Sequence, residues 1–153
     1  MYPCFEVEGI DVNKLLEDWR WLLSGSYRLV AINAFGDLFL EGDNSEMHWL
    51  DISGGTISVV ASSVAEFQNS ASSNSETWFL RSDEEHAANK GYRPIKGQCI
   101  GSKIPWIFRE STGVAENLRI ADLYEYVGFM GSLHRQIAEV PNGGTVRIRF
   151  QPE

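Results

Sequence analysis

Only two cysteines, Cys4 and Cys99, occur in these 153 residues. Two thiols in a chain long enough to bury its own core read as reduced residues, because disulfide frameworks belong to small secreted domains. No stretch approaches the roughly 20 consecutive apolar residues that a membrane-spanning helix needs. The start, Met1-Tyr2-Pro3-Cys4-Phe5-Glu6, has neither the basic region nor the apolar segment of a secretory signal. These absences lead us to expect a cytoplasmic protein without a membrane partner. Bases are also scarce in the first half. Residues 1–85 hold 15 acids against 4 bases, residues 86–153 hold 6 acids against 9 bases, and the whole chain carries −8. Nucleic-acid binding needs a basic face, so this balance argues against DNA or RNA as a direct partner. The acidic half either solubilises the chain or steers a basic partner protein.

Signatures of chemistry are missing as well. His48, His86 and His134 have no companion at metal-ligand spacing, and there is no C-x-x-C, H-E-x-x-H, G-x-S-x-G or phosphate-binding loop. We therefore expect no catalytic residue, no metal and no cofactor. Cys99, between Lys96 and Lys103, is the candidate nucleophile of an alternative reading as a small Cys/His enzyme, which would need a histidine beside it. A half-buried thiol next to Ile100 is the plainer account. His134 falls on an apolar helical stripe, where a hydrogen-bonded core histidine is expected, whereas His48 alternates with Met47 and Trp49 and points to solvent or a partner. Asp83, Glu84 and Glu85 are consecutive, so on a helix they point in different directions and form a solvated acidic turn, not a hard-metal site.

What is present is the material of one folded domain: 43% hydrophobic and 12% aromatic residues, with five Trp and eight Phe. Asp11 caps a helix running to Leu23, with Val12, Leu15, Leu16, Trp19, Leu22 and Leu23 on one stripe and Gly25 past its end. Four β-rich runs follow, Tyr27 to Ala34, Asp37 to Leu40, Met47 to Ile52 and Thr56 to Val60, separated by turns of hairpin length. Ser63 and Glu66 form a capping box. A helix over Glu76 to Asn89 is stopped by Gly91, and residues 91–113 read mostly as loop with short extended pieces. Asn117 to Ala121 reads as a strand. Asp122 caps a last helix with Leu123, Val127, Met130, His134 and Ile137 on one face, and Pro141 to Gly144 end it. Val146, Ile148 and Phe150 alternate with Arg147 and Arg149 as in an edge strand. The fold class is α+β: an antiparallel four-strand meander plus one or two late strands, flanked by an N-terminal helix and C-terminal helices.

Several of these segments have a familiar order. Trp19-Arg20-Trp21-Leu22-Leu23, then Ala34-Phe35-Gly36-Asp37-Leu38-Phe39-Leu40, then Trp49-Leu50-Asp51-Ile52-Ser53-Gly54-Gly55 resemble the immunity proteins of bacterial type VI secretion systems, of SUKH-like type. Residues Gly97-Gln98-Cys99-Ile100-Gly101-Ser102-Lys103-Ile104-Pro105 are similar to that family's G-x-C-x-x-x-K-x-P element, and the block from Asn117 to Gly143 to its final strand and helix. Many relatives continue Pro105 with a leucine-glycine-glycine phrase, where this chain has Trp106-Ile107-Phe108-Arg109-Glu110. The resemblance spans residues 19–143 and implies a domain that binds and neutralises a cognate toxin, typically a nuclease, by direct contact. Phe35, Gly36, Asp37 and Phe39 are expected to be structural, with the glycine and aspartate in a turn and the rings packed. Contacts to a basic toxin are expected from Glu41, Asp43, Glu46, Asp83, Glu84 and Glu85, with Trp49 or Trp78 as a candidate aromatic anchor. A SUKH-like regulatory scaffold with no toxin partner is the main alternative.

Overall fold

The computed structural model describes residues 1–108, 111 and 114–147. Asp11 starts the first helix as its sequence predicts, its carboxylate accepting from the Lys14 amide. The helix is shorter than the apolar stripe. Helix α1 spans Val12–Leu16, and a single 3-10 turn, Glu17–Trp19, carries the stripe onward. The amides of Leu22 and Leu23 then both turn back to Trp19 O, which ends the coil while still burying Leu15, Leu16, Trp19 and Leu23.

The four β-rich runs form one antiparallel sheet in the order β1-β2-β3-β4, with β1 Arg28–Ile32, β2 Leu38–Glu41, β3 Met47–Asp51 and β4 Thr56–Ala61. Across β2 and β3, Phe39 pairs with Trp49 and Leu38 with Leu50. Side chains alternate between faces, so these two pairs lie on opposite faces of the sheet. Leu38, Phe39, Leu40 and Leu50 are all fully buried, which shows that both faces are covered. On the Phe39 face the rings of Phe67 and Phe79 stand 5.2 and 5.4 Å away, and Trp78 stacks on Phe67 at 4.8 Å. Those rings arrive on α2 Val64–Ser70 and α3 Ser75–Phe79. Helix α2 is capped by Ser63 at the Glu66 amide, while the Glu66 carboxylate reaches back to Ser62.

The helix expected over Glu76–Asn89 is instead two, α3 and α4 Arg81–Asn89, broken at Leu80, whose φ is +51°. A leucine in the left-handed region is strained by roughly 1–3 kcal/mol. Hydrogen bonds on both sides hold it there. Asn33 Nδ2 donates to Trp78 O at 3.0 Å, and the Ser82 amide donates to the Glu76 carboxylate. A second, two-stranded sheet pairs β5 Gln98–Ser102 with β6 Leu118–Asp122, and the Ile100 amide ties it to Ala34 O. The short helix α5, Val114–Asn117, leads into β6. Asp122 caps α6 Leu123–Ile137 at the Glu125 amide, as expected. This helix packs against α1 and its 3-10 turn, where Trp19 Nε1 donates to Val127 O at 2.8 Å and Trp21 Nε1 to Gly131 O at 3.1 Å. The architecture is thus α+β, a four-strand antiparallel sheet plus two late strands with an N-terminal helix and C-terminal helices. The edge strand expected over Val146–Phe150 lies in part outside the described residues. Among those described, no helix is long and apolar enough to cross a membrane.

Candidate functional site

The six acids expected to make contact occupy two places. Glu41, Asp43 and Glu46 sit on the β2–β3 hairpin, at the end of the sheet where β1 begins. Asp83, Glu84 and Glu85 sit on α4, beside the N-terminal segment and toward the other end, where Asn33 holds Trp78 O. The fold does not bring the two groups together.

Their environments also differ. Glu41 is paired with Arg28 at 2.9 Å, and Asp43 accepts from the Ser26 amide. Glu84 is only 7% exposed, and the expectation that it faces solvent is corrected by the structure. Its carboxylate takes the Arg81 guanidinium at 2.8 Å and the backbone N–H of Tyr2, so it fastens the N-terminal segment to α4. The helical arrangement that buries Glu84 turns Asp83 and Glu85 outward, and both are exposed. Glu85 and Glu84 line a cleft of about 510 Å³ together with Glu76, Arg81 and Arg93. Glu46, Asp83 and Glu85 have no ion pair among the described residues.

Trp49 and Trp78 belong to the core rather than to an exposed anchor. Trp78 is buried, and Trp49 is half-buried, stacked on Phe39 with its Nε1 donating to Asp37. The tryptophans that do reach the surface are Trp21 and Trp106, 38% and 37% exposed.

Cys99 is fully buried in β5, and burial pushes its thiol up to about 12. A nucleophilic cysteine needs the opposite shift, toward thiolate at neutral pH. Cys4 is likewise buried and raised to about 11, with Arg81 partly opposing the effect of burial. His134 is a hydrogen-bonded buried histidine, as its place on the stripe predicts. Its Nε2 lies 3.0 Å from Ile52 O and 3.1 Å from Ser53 O, and burial lowers its pKa. His48 is half-buried with its ring edge-on to Tyr27, and His86 is exposed on α4. No group of three His, Cys, Asp or Glu suited to a metal ion gathers among the described residues.

The polar centre that sequence reasoning missed is built around Asp37. Gly36 makes the turn after β1 at φ +92°, a conformation strained for any side chain, and a Cβ there would also press on Ile52 Cδ1 at 3.0 Å. The turn aims the Asp37 carboxylate inward, where it accepts from Asn33 Nδ2, Trp49 Nε1 and the Ile52 amide at 3.0–3.2 Å. Asn33 Oδ1 in turn accepts from the amides of Phe35 and Asp37. Burial foremost, and the nearby Asp51 carboxylate next, push Asp37 up to about 7 against the pull of these three donors. The aspartate was legible as a turn residue. Its partners were not, because Trp49 lies on β3 and Asn33 just past the end of β1, and only the fold turns both toward the carboxylate.

No family model matches the chain, and no curated protein matches it.

Proposed function

We propose that this protein acts by gripping another protein, and that the partner is a basic toxin, most simply a nuclease, which it neutralises in the cytoplasm as an immunity protein. The observation that carries the reading is a set of acids that the fold presents but does not use. Glu46, Asp83 and Glu85 stand on a hairpin and a helix with their charges unpaired among the described residues. Regular elements hold such charges in fixed places, which is what an electrostatically complementary interface needs. The resemblance of residues 19–143 to type VI secretion immunity proteins supplies the class of partner. Asp37 and its neighbours keep the structural role expected of them, so recognition falls to the surface.

The test is co-expression with the product of the adjacent gene. Restored growth together with a stoichiometric complex supports the reading, and an adjacent product that is neither toxic nor bound defeats it. Charge reversal then locates the face. Asp83→Lys with Glu85→Lys, and separately Asp43→Lys with Glu46→Lys, are compared by stopped-flow association at rising salt. The pair within the contact should slow association by about tenfold at low salt, with the difference shrinking as the Debye length falls below about 8 Å. Exposed charges contribute little to folding, so the Asp83/Glu85 variant should melt as the parent does. Glu84→Lys should not, because it sets a second cation against Arg81 in a buried pair, and a loss of about 3–5 kcal/mol in chemical denaturation is expected. Arg147→Glu should affect association less than either acidic pair. A complex whose association ignores both salt and these reversals would remove the electrostatic component and leave binding itself standing.

A further inference from the structure

A second cleft, of about 450 Å³, is lined mainly by apolar side chains, with Asn142 and glycine backbone adding polar surface. Trp21, Ile107, Phe108, Ile137 and Val140 line it, Trp21 and Ile107 being 38% and 42% exposed. Gly54 and Gly55 present bare backbone to it. That size falls within the range of small-molecule sites, which combine apolar walls with a few placed polar groups.

The buried polar group at this cleft is His134. Its Nε2 faces the carbonyl oxygens of Ile52 and Ser53. Carbonyls only accept, so in the neutral imidazole Nε2 carries the proton and Nδ1 carries the lone pair. The side chain is more than nine-tenths buried, yet Nδ1 has no hydrogen-bond partner among the described residues and is not a sealed-off orphan either. It lies beside Gly55, where a Cβ would come within 2.4 Å of it, and both residues line the cleft. Gly55 thus lays bare backbone against the acceptor, where any side chain would collide with it. Trp19, its ring 5.8 Å from the imidazole, and the two carbonyl contacts fix the ring's orientation. An oriented, neutral acceptor among the apolar side chains of this wall favours a donor carried on a largely apolar body, because a buried acceptor left unpaired is costly.

We propose that this cleft binds a small neutral aromatic molecule bearing a single N–H or O–H donor, of the phenol or indole class, with His134 Nδ1 accepting that donor. The site is independent of the acidic surface, so it stands whether or not the protein neutralises a toxin. Asp51 is the charged group whose field reaches the imidazole, and the apolar lining residues named here contribute none.

The experiment compares p-cresol with toluene, which has the same ring and methyl group without the hydroxyl. Binding to the full chain is followed by nuclear magnetic resonance, including the imidazole nitrogens of His134. At pH 8, p-cresol should bind about tenfold more tightly than toluene, the effect of one net hydrogen bond. Its addition should shift Nδ1 while Nε2 keeps its proton. As pH falls below the His134 pKa, Nδ1 gains a proton and becomes a donor, so p-cresol should lose its preference over toluene. Indole should behave like p-cresol. Equal affinities for p-cresol and toluene, absence of binding by either, or binding that leaves Nδ1 unmoved would each overturn the proposal.

Discussion

Asp37→Ala should cost about 3–5 kcal/mol in chemical denaturation, since it strands three donors that the carboxylate now satisfies. Domains of this size are stable by only about 5–15 kcal/mol, so at the low end of that range such a variant should be left marginally stable, with a substantial unfolded fraction. The damage should spread beyond the turn. Asn33 links Asp37 to Trp78 O, and Trp78 stacks on Phe67, so the variant should loosen α3 and the aromatic cluster with it. An Asp37→Ala protein that denatures within 1 kcal/mol of the parent would show that the network is dispensable.

The same carboxyl gives a signed pH dependence. Folded Asp37 holds its proton up to about 7, whereas in the unfolded chain it releases it near the ordinary aspartate value of 3.8. Between those values the native state binds more protons than the unfolded one, so this group's contribution to stability declines as pH rises through the window and is flat outside it. His134 acts in the other direction. Its folded pKa is lowered, so its contribution grows as pH rises toward the ordinary histidine value of 6.5. Asp37→Asn separates the two, being similar in shape and unable to titrate. The stability of the parent relative to Asp37→Asn should fall between pH 4 and pH 7, and a difference that is constant or rising over that interval is the contrary result.

How far the sequence foretold this molecule depends on the range of the interaction concerned. Strands Leu38–Glu41 and Met47–Asp51 are where β-rich composition and turn residues placed them, because strand-forming runs and a tight hairpin are local properties. The caps at Asp11, Ser63 and Asp122 were legible for the same reason. The break at Leu80 was not. No glycine marks it, and the bond that organises it comes from Asn33, 45 residues away from Trp78. Glu84 shows the limit for the candidate surface. It looks like its neighbours in sequence, and only its pairing with Arg81 one turn back and the docking of Tyr2 on that side of α4 distinguish it from Asp83 and Glu85. The His134 acceptor was half legible: the stripe indicated burial, while the free nitrogen depends on where Gly55 passes.

Met130→Asp should leave little soluble protein. Met130 is 1% exposed on α6, among Tyr126, Val127, Leu133 and His134, which are also buried. A carboxylate placed there finds no cation of its own, and an unpaired buried charge costs several kcal/mol, of the order of the whole stability of a small domain. The helix cannot swing aside to wet it, because the next residue is locked. A Cβ at Gly131 would stand 2.6 Å from Asp18 O and 2.9 Å from Trp19 Cδ1, so α6 and the 3-10 turn touch backbone to side there. Gly131→Val should accordingly cost about 1–3 kcal/mol by overpacking, with no charge involved. Met130→Leu, which keeps volume and apolarity, should cost under about 1.5 kcal/mol, and Arg135→Asp on the exposed face of the same helix should cost about 0.5 kcal/mol or less. That ranking, read from denaturant midpoints and soluble yield, separates loss of packing from introduction of charge. If Met130→Asp folds and melts like the parent while Gly131→Val does not, α6 presents a different face to the core from the one its sequence and structure assign.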